Sequence, residues 1–103
     1  MVTVTFKFNE DKLRKIGKTV DEMLNPFRKD LEPYKVQEIA QGSFQKDGKD
    51  GLVVLDFPLV YIRKHIEYLE LLDVWNLNID GKIEDCKKEL IAYYEEHNYE
   101  LGA

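Results

Sequence analysis

From Val2 to Phe8 the chain alternates strictly, with Val2, Val4, Phe6 and Phe8 apolar and Thr3, Thr5 and Lys7 polar between them. That period of two is the signature of a strand with one buried face. Asn9 follows with a side-chain oxygen able to cap a helix, and Glu10 and Asp11 place negative charge at the positive end of its dipole. Leu13, Ile16, Val20, Met23, Leu24, Phe27 and Leu31 then recur at helical spacing up to Glu32-Pro33, which predicts one long amphipathic helix. Pro26 lacks a backbone donor, so the helix is expected to kink there or to restart with Asn25 as a new cap.

Tyr34 to Ala40 reads as an edge strand whose alternation is imperfect. Ser43–Lys46 and Leu52–Phe57 flank the loop Asp47-Gly48-Lys49-Asp50-Gly51, and the two Asp-Gly steps predict a hairpin. In Leu52–Phe57 both alternating sets are mainly apolar, as in a central strand covered on both faces. Leu59 to Leu72 is amphipathic at 100° per residue and predicts a second helix. Trp75, Leu77 and Ile79 alternate with Asn76 and Asn78 as a strand, and Asp80-Gly81 is expected to turn the chain into a last helix beginning near Lys82. Ile83, Cys86, Leu90, Tyr94 and His97 would share that helix's apolar face, and Asn98 and Gly102 mark its end.

The resulting order predicts an α+β fold, with residues 1–103 forming a single domain. It would be a two-layer sandwich of ferredoxin-like, split βαβ order β-α-β-β-α-β, with a helix added at the C-terminal end. A Leu52–Phe57 strand apolar on both faces would need a second cover, either the last helix or another copy of the chain, so a homodimer is expected.

Composition narrows the compartment. The chain has 103 residues, 44% of them hydrophobic, and a single cysteine, Cys86, so no internal disulfide framework exists and a reducing, cytoplasmic setting is expected. The first residues lack the apolar centre of a secretory signal, and Leu59–Leu72 is interrupted by Arg63, Lys64, Glu67 and Glu70, so no membrane role is expected. The formal net charge is −5, and residues 65–103 carry three Lys/Arg against ten Asp/Glu. An acidic third of this kind repels phosphate backbones, so nucleic acid is not an expected partner. The basic group Lys12, Arg14, Lys15 and Lys18 reads as a solvated helix face.

Candidate chemistry is sparse. His65, Cys86 and His97 do not have the spacing of a local metal chelate, and Asp47–Gly51 fails as a calcium loop because Lys49 stands where an oxygen ligand belongs. Neither metal nor cofactor is expected. Ser43 and Cys86 have no adjacent base, and the glycines form no phosphate cradle, so the chain is not expected to be an enzyme. His65 projects from the apolar arc of the second helix one turn from Tyr61 and Tyr68, and with Trp75 these residues are a candidate small-ligand pocket. Tyr93, Tyr94, Glu95, Glu96, His97 and Tyr99 form an acidic, tyrosine-bearing surface of the kind that protein interfaces select. The sequence therefore points first to a small protein-interaction module and second to a ligand-binding or regulatory domain.

Overall fold

The computed structural model describes residues 1–96. β1 (Val2–Phe8) is the central strand of a five-stranded antiparallel sheet, and its alternation buries Val2, Val4, Phe6 and Phe8. α1 (Glu10–Lys15) is capped by Asn9, whose side chain accepts from the Lys12 amide at 3.0 Å. α2 (Val20–Leu31) follows, and after a short 3-10 turn at Glu32–Tyr34 come β2 (Gln37–Ala40) and β3 (Ser43–Lys46). α3 (Gly51–Leu55), α4 (Phe57–Lys64) and α5 (Glu67–Leu71) lead into β4 (Leu72–Ile79), β5 (Lys82–Asp85) and α6 (Cys86–Glu96).

The strand order is β2-β3-β1-β4-β5, with every neighbouring pair antiparallel. Val4 faces Phe44 on one side and Leu77 on the other, and Phe6 faces Trp75. These side chains share the inner face of the sheet, where the Phe6 ring lies 4.7 Å from Phe27 of α2 and 6.0 Å from Trp75. The opposite face carries Thr3, Thr5, Ser43, Gln45, Asn76 and Asn78, tied across strands by Thr5–Ser43 and Gln45–Thr3 hydrogen bonds. The α+β class is as expected, and the edge strand expected over Tyr34–Ala40 is confined to Gln37–Ala40, because Tyr34 ends the 3-10 turn and Lys35 takes φ +57.

Several expectations are corrected. Leu52–Phe57 is not a strand and Lys82–Asp85 is, so the sheet has five strands with Lys82–Asp85 at one edge. Leu52–Phe57 forms most of α3 and the start of α4: Gly51, Val54, Leu55, Pro58 and Ile62 are buried, a spacing of three and four, while Leu52, Val53 and Val60 are exposed. A short apolar run fits either period, and Pro58 in the first turn of α4 favours the helix. The hairpin expected around Asp47–Gly51 forms instead between β2 and β3, across Gln41-Gly42, where Gly42 takes φ +84. Gly51 serves a different purpose, since a Cβ there would stand 3.0 Å from the Lys46 carbonyl, and its absence lets α3 begin directly against the sheet.

The break in the first helix falls at Gly17, not Pro26. Gly17 has φ +69, its amide donates to the Arg14 carbonyl and the Lys18 amide to that of Leu13, a Schellman stop. Thr19 then caps α2 by accepting from the Glu22 amide at 3.1 Å, and Pro26 is carried inside that helix. The second expected helix is interrupted at His65, and Leu72 already belongs to β4. Asp80 and Gly81 both have positive φ, which makes the Asp-Gly step a type I′ hairpin turn and Lys82 a strand residue. Ile83 is accordingly 64% exposed rather than part of a helical apolar face. With Leu52–Phe57 helical, the doubly apolar strand expected there does not form, and the outer sheet face is mainly polar with Val74 and Ile83 among its residues.

Candidate functional site

The aromatic residues proposed around His65 come together only in part. The Tyr61 ring stacks on His65 with centroids 4.2 Å apart and meets Tyr68 edge-on at 5.4 Å. Tyr68 is 4% exposed, its hydroxyl donates to the Met23 carbonyl at 2.8 Å, and burial pushes its phenol well above the usual range. Tyr68 also packs against Phe8 and Phe27, so the cluster is continuous with the core. His65 caps the end of α4 with its side chain 45% exposed, 3.8 Å from Glu67. Trp75 lies elsewhere: it stacks on Phe6 beneath a separate groove.

That groove lies between the α3–α4 side of the helical layer and α6, over the sheet. α6 packs chiefly on β4, and between it and the α3–α4 side the helical layer over the sheet has a gap that Arg63 and Tyr93 border. The gap encloses about 490 Å³. Val4, Trp75, Leu77 and Leu90 form an apolar floor, and Leu52, Leu55 and Leu59 form the wall on the α3–α4 side. Around this apolar lining stand three carboxylates, Asp56, Glu84 and Glu89, and one cation, Arg63. The Arg63 guanidinium lies over the Tyr93 ring, 5.7 Å from its centroid.

The fold positions each group by local rules. Glu84 sits opposite Leu77 in the β4–β5 register, and Leu77 belongs to the inner face. An inward charge on a short edge strand also discourages unwanted strand addition. Cys86, Glu89, Leu90 and Tyr93 fall on one side of α6 at helical spacing, whereas Lys87, Lys88 and Glu95 line its other side with Asp73 and Asp85. The electrostatics reflect burial first and the neighbouring carboxylates second. Loss of hydration raises the Asp56 carboxyl above its ordinary value, and Glu84 pushes it further. Burial, reinforced by Glu89, Glu84, Asp56 and Asp85, pushes the Cys86 thiol up to about 12. A thiol held protonated in this way is a packing residue with little nucleophilic character at neutral pH.

Of the surface residues proposed on the last helix, Tyr93 borders the groove and is 38% exposed, while Tyr94 packs partly against the core. Glu95 and Glu96 are exposed at the end of α6, and His97 and Tyr99 lie outside the described residues. Sequence reasoning missed Asp56, Arg63, Glu84 and Glu89. The available signal was the spacing Leu52, Leu55, Leu59, which is helical and continues into Ile62 and Arg63.

Among the described residues no group of three or more His, Cys, Asp or Glu is arranged to hold a metal ion, and no helix is long and apolar enough to cross a membrane. Fold and groove together define an α+β protein with an acid-rimmed gap in its helical layer. No protein-family model, curated protein or solved structure matches this chain.

Proposed function

We propose that this chain is a non-catalytic protein-interaction module that binds through the groove between α3–α4 and α6. The observation that carries the reading is the combination of an apolar floor with a charged rim in one open gap of the helical layer. Interfaces of this kind anchor an apolar side chain in a desolvated pocket and use the polar rim for orientation. Exposed Leu52 and Val53 on α3 and Val60 on α4 extend the apolar surface on the helices that flank the groove. A lone, partly buried thiol suits a reducing, cytoplasmic setting. As to fold kinship, the first four strands, with β3 between β1 and β2 and β1 between β3 and β4, support a ferredoxin-like core to which β5 and α6 are added.

The test is differential capture. Leu52→Asn and Tyr93→Ala change the groove, whereas Ile39→Asn changes an exposed residue on the β2 edge. Proteins retained by the wild type and by Ile39→Asn, but lost from both groove variants, are the expected result; equal retention by all four proteins overturns the reading. A second reading, small-ligand binding, is favoured by the groove volume, which falls within the range of small-molecule sites. It takes Trp75 as the ligand contact and leaves Tyr68 in the core with Tyr61 and His65 at its edge.

A further inference from the structure

The groove's charge is lopsided in a way that selects a partner. Its described lining holds Asp56, Glu84 and Glu89 against Arg63 alone. The two lysines of α6 lie on the side of the helix turned away from the groove, so they do not offset these carboxylates locally. Beyond the mouth the negative line continues, because Glu96 follows Glu89 and Tyr93 at helical spacing on the same side of α6. Like charges gathered at the edge of an apolar cavity repel one another, and a cation placed among them relieves it.

We infer that the groove takes a polypeptide segment that inserts an apolar side chain onto the Trp75–Leu90 floor and sets lysine or arginine side chains against Asp56, Glu84 and Glu89. This rests on the reading of the groove as the binding face. The floor and the α3–α4 wall are apolar, which a free metal ion or a small polyamine would leave unused. The acidic line extends to Glu96, further than the rim of the cavity itself, which suits an extended segment better than a compact amine. Arg63 bounds the site on the α4 side, so the basic residues of the partner belong toward β5 and α6.

The experiment is fluorescence anisotropy with labelled synthetic peptides that share one central leucine, phenylalanine or tryptophan and differ in flanks of lysine and arginine, glutamine, or glutamate. Each is titrated against the wild type, Leu52→Asn, the double variant Glu84→Gln/Glu89→Gln, and the control Asp73→Asn/Glu95→Gln, which removes two charges from the other side of α6. The expected result is at least about tenfold tighter binding of the basic peptides than of the acidic ones, weakened by salt. That preference is lost in the Glu84/Glu89 variant and kept in the Asp73/Glu95 control. Binding that is indifferent to flanking charge but weakened by Leu52→Asn overturns the inference while the groove reading stands. Basic peptides bound equally by all four proteins overturn both. Absence of peptide binding overturns the inference, and a hexylamine probe that still binds would then identify a small organic cation as the occupant.

Discussion

The Phe6 amide donates to the Gly42 carbonyl at 2.8 Å, and the two backbones run so close that a Cβ on Gly42 would stand 2.5 Å from the Phe6 carbonyl oxygen. Gly42 is also the positive-φ residue of the β2–β3 turn, so one position meets a conformational demand and a steric one together. Gly17 meets only the first, since a Cβ there finds nothing within 4 Å. Gly42→Ala is therefore expected to destabilise by well over the ~1–2 kcal/mol of a left-handed alanine, and Gly17→Ala by no more than about that. Paired urea unfolding curves check this, and equal costs at the two sites would contradict the close approach.

The β2–β3 hairpin is tied to α2 by one guanidinium. Arg28 donates from Nε and Nη2 to the two carboxylate oxygens of Glu38, both at 2.8 Å, and to Asp21 and Asn25 at 3.0 Å. The guanidinium, with help from the Gly42 amide, holds the Glu38 carboxyl below its ordinary value of 4.5. A depressed folded-state value means that the stabilisation is present above the ordinary value and lost as pH falls through the lowered one. Glu38→Gln is expected to cost about 1 kcal/mol at neutral pH and almost nothing in strong acid. Unfolding midpoints of the two proteins across that acid range measure the convergence.

Asp56 carries the opposite sign. Its raised carboxyl value means that ionisation is harder in the folded chain, so the penalty is absent below the ordinary value of 3.8, grows as pH rises, and persists at neutrality. Asp56→Asn is expected to be more stable than the wild type at neutral pH and equal to it in acid. A variant that is less stable at neutral pH would show that the carboxylate is held by a favourable partner.

Cys86 is expected to react slowly with a thiol-directed reagent in the native protein and at the rate of an ordinary thiol in denaturant. Its value of about 12 leaves almost no thiolate at neutral pH. Rapid native alkylation at neutral pH would contradict the burial and the surrounding carboxylates.

Tyr68→Phe removes a hydroxyl that is bonded to the Met23 carbonyl in the core, and about 1 kcal/mol of stability should go with it. His65→Gln, at a half-exposed helix end, should change stability by less than about 0.5 kcal/mol. A chemical denaturation series distinguishes the two, and a large loss at His65 would reinstate it as an organising residue.

The chain by itself determined the elements whose signal is local and has one interpretation. Val2–Phe8 alternates over a full strand, Asn9 caps through its own neighbour Lys12, and Val20–Leu31 keeps a buried face of Met23, Leu24, Phe27 and Leu31. Gly17 and the Thr19–Glu22 cap are equally local signals, whereas Pro26 is carried within α2 without ending it. Only the tertiary structure decided Leu52–Phe57, because a short run of apolar residues satisfies a period of two or of 3.6 until something is packed against it. The Asp-Gly steps were ambiguous for the same reason. Positive φ permits reversal, and the element that comes next depends on which strand is available to pair, β4 with β5 at Asp80-Gly81, or on how closely a helix must start against the sheet, as at Gly51. The groove is a product of those decisions. Asp56, Arg63, Glu84 and Glu89 are separated along the chain, and they meet because α6 rests chiefly on β4 and leaves a gap to the α3–α4 side, an arrangement that the sheet sets and no single segment encodes.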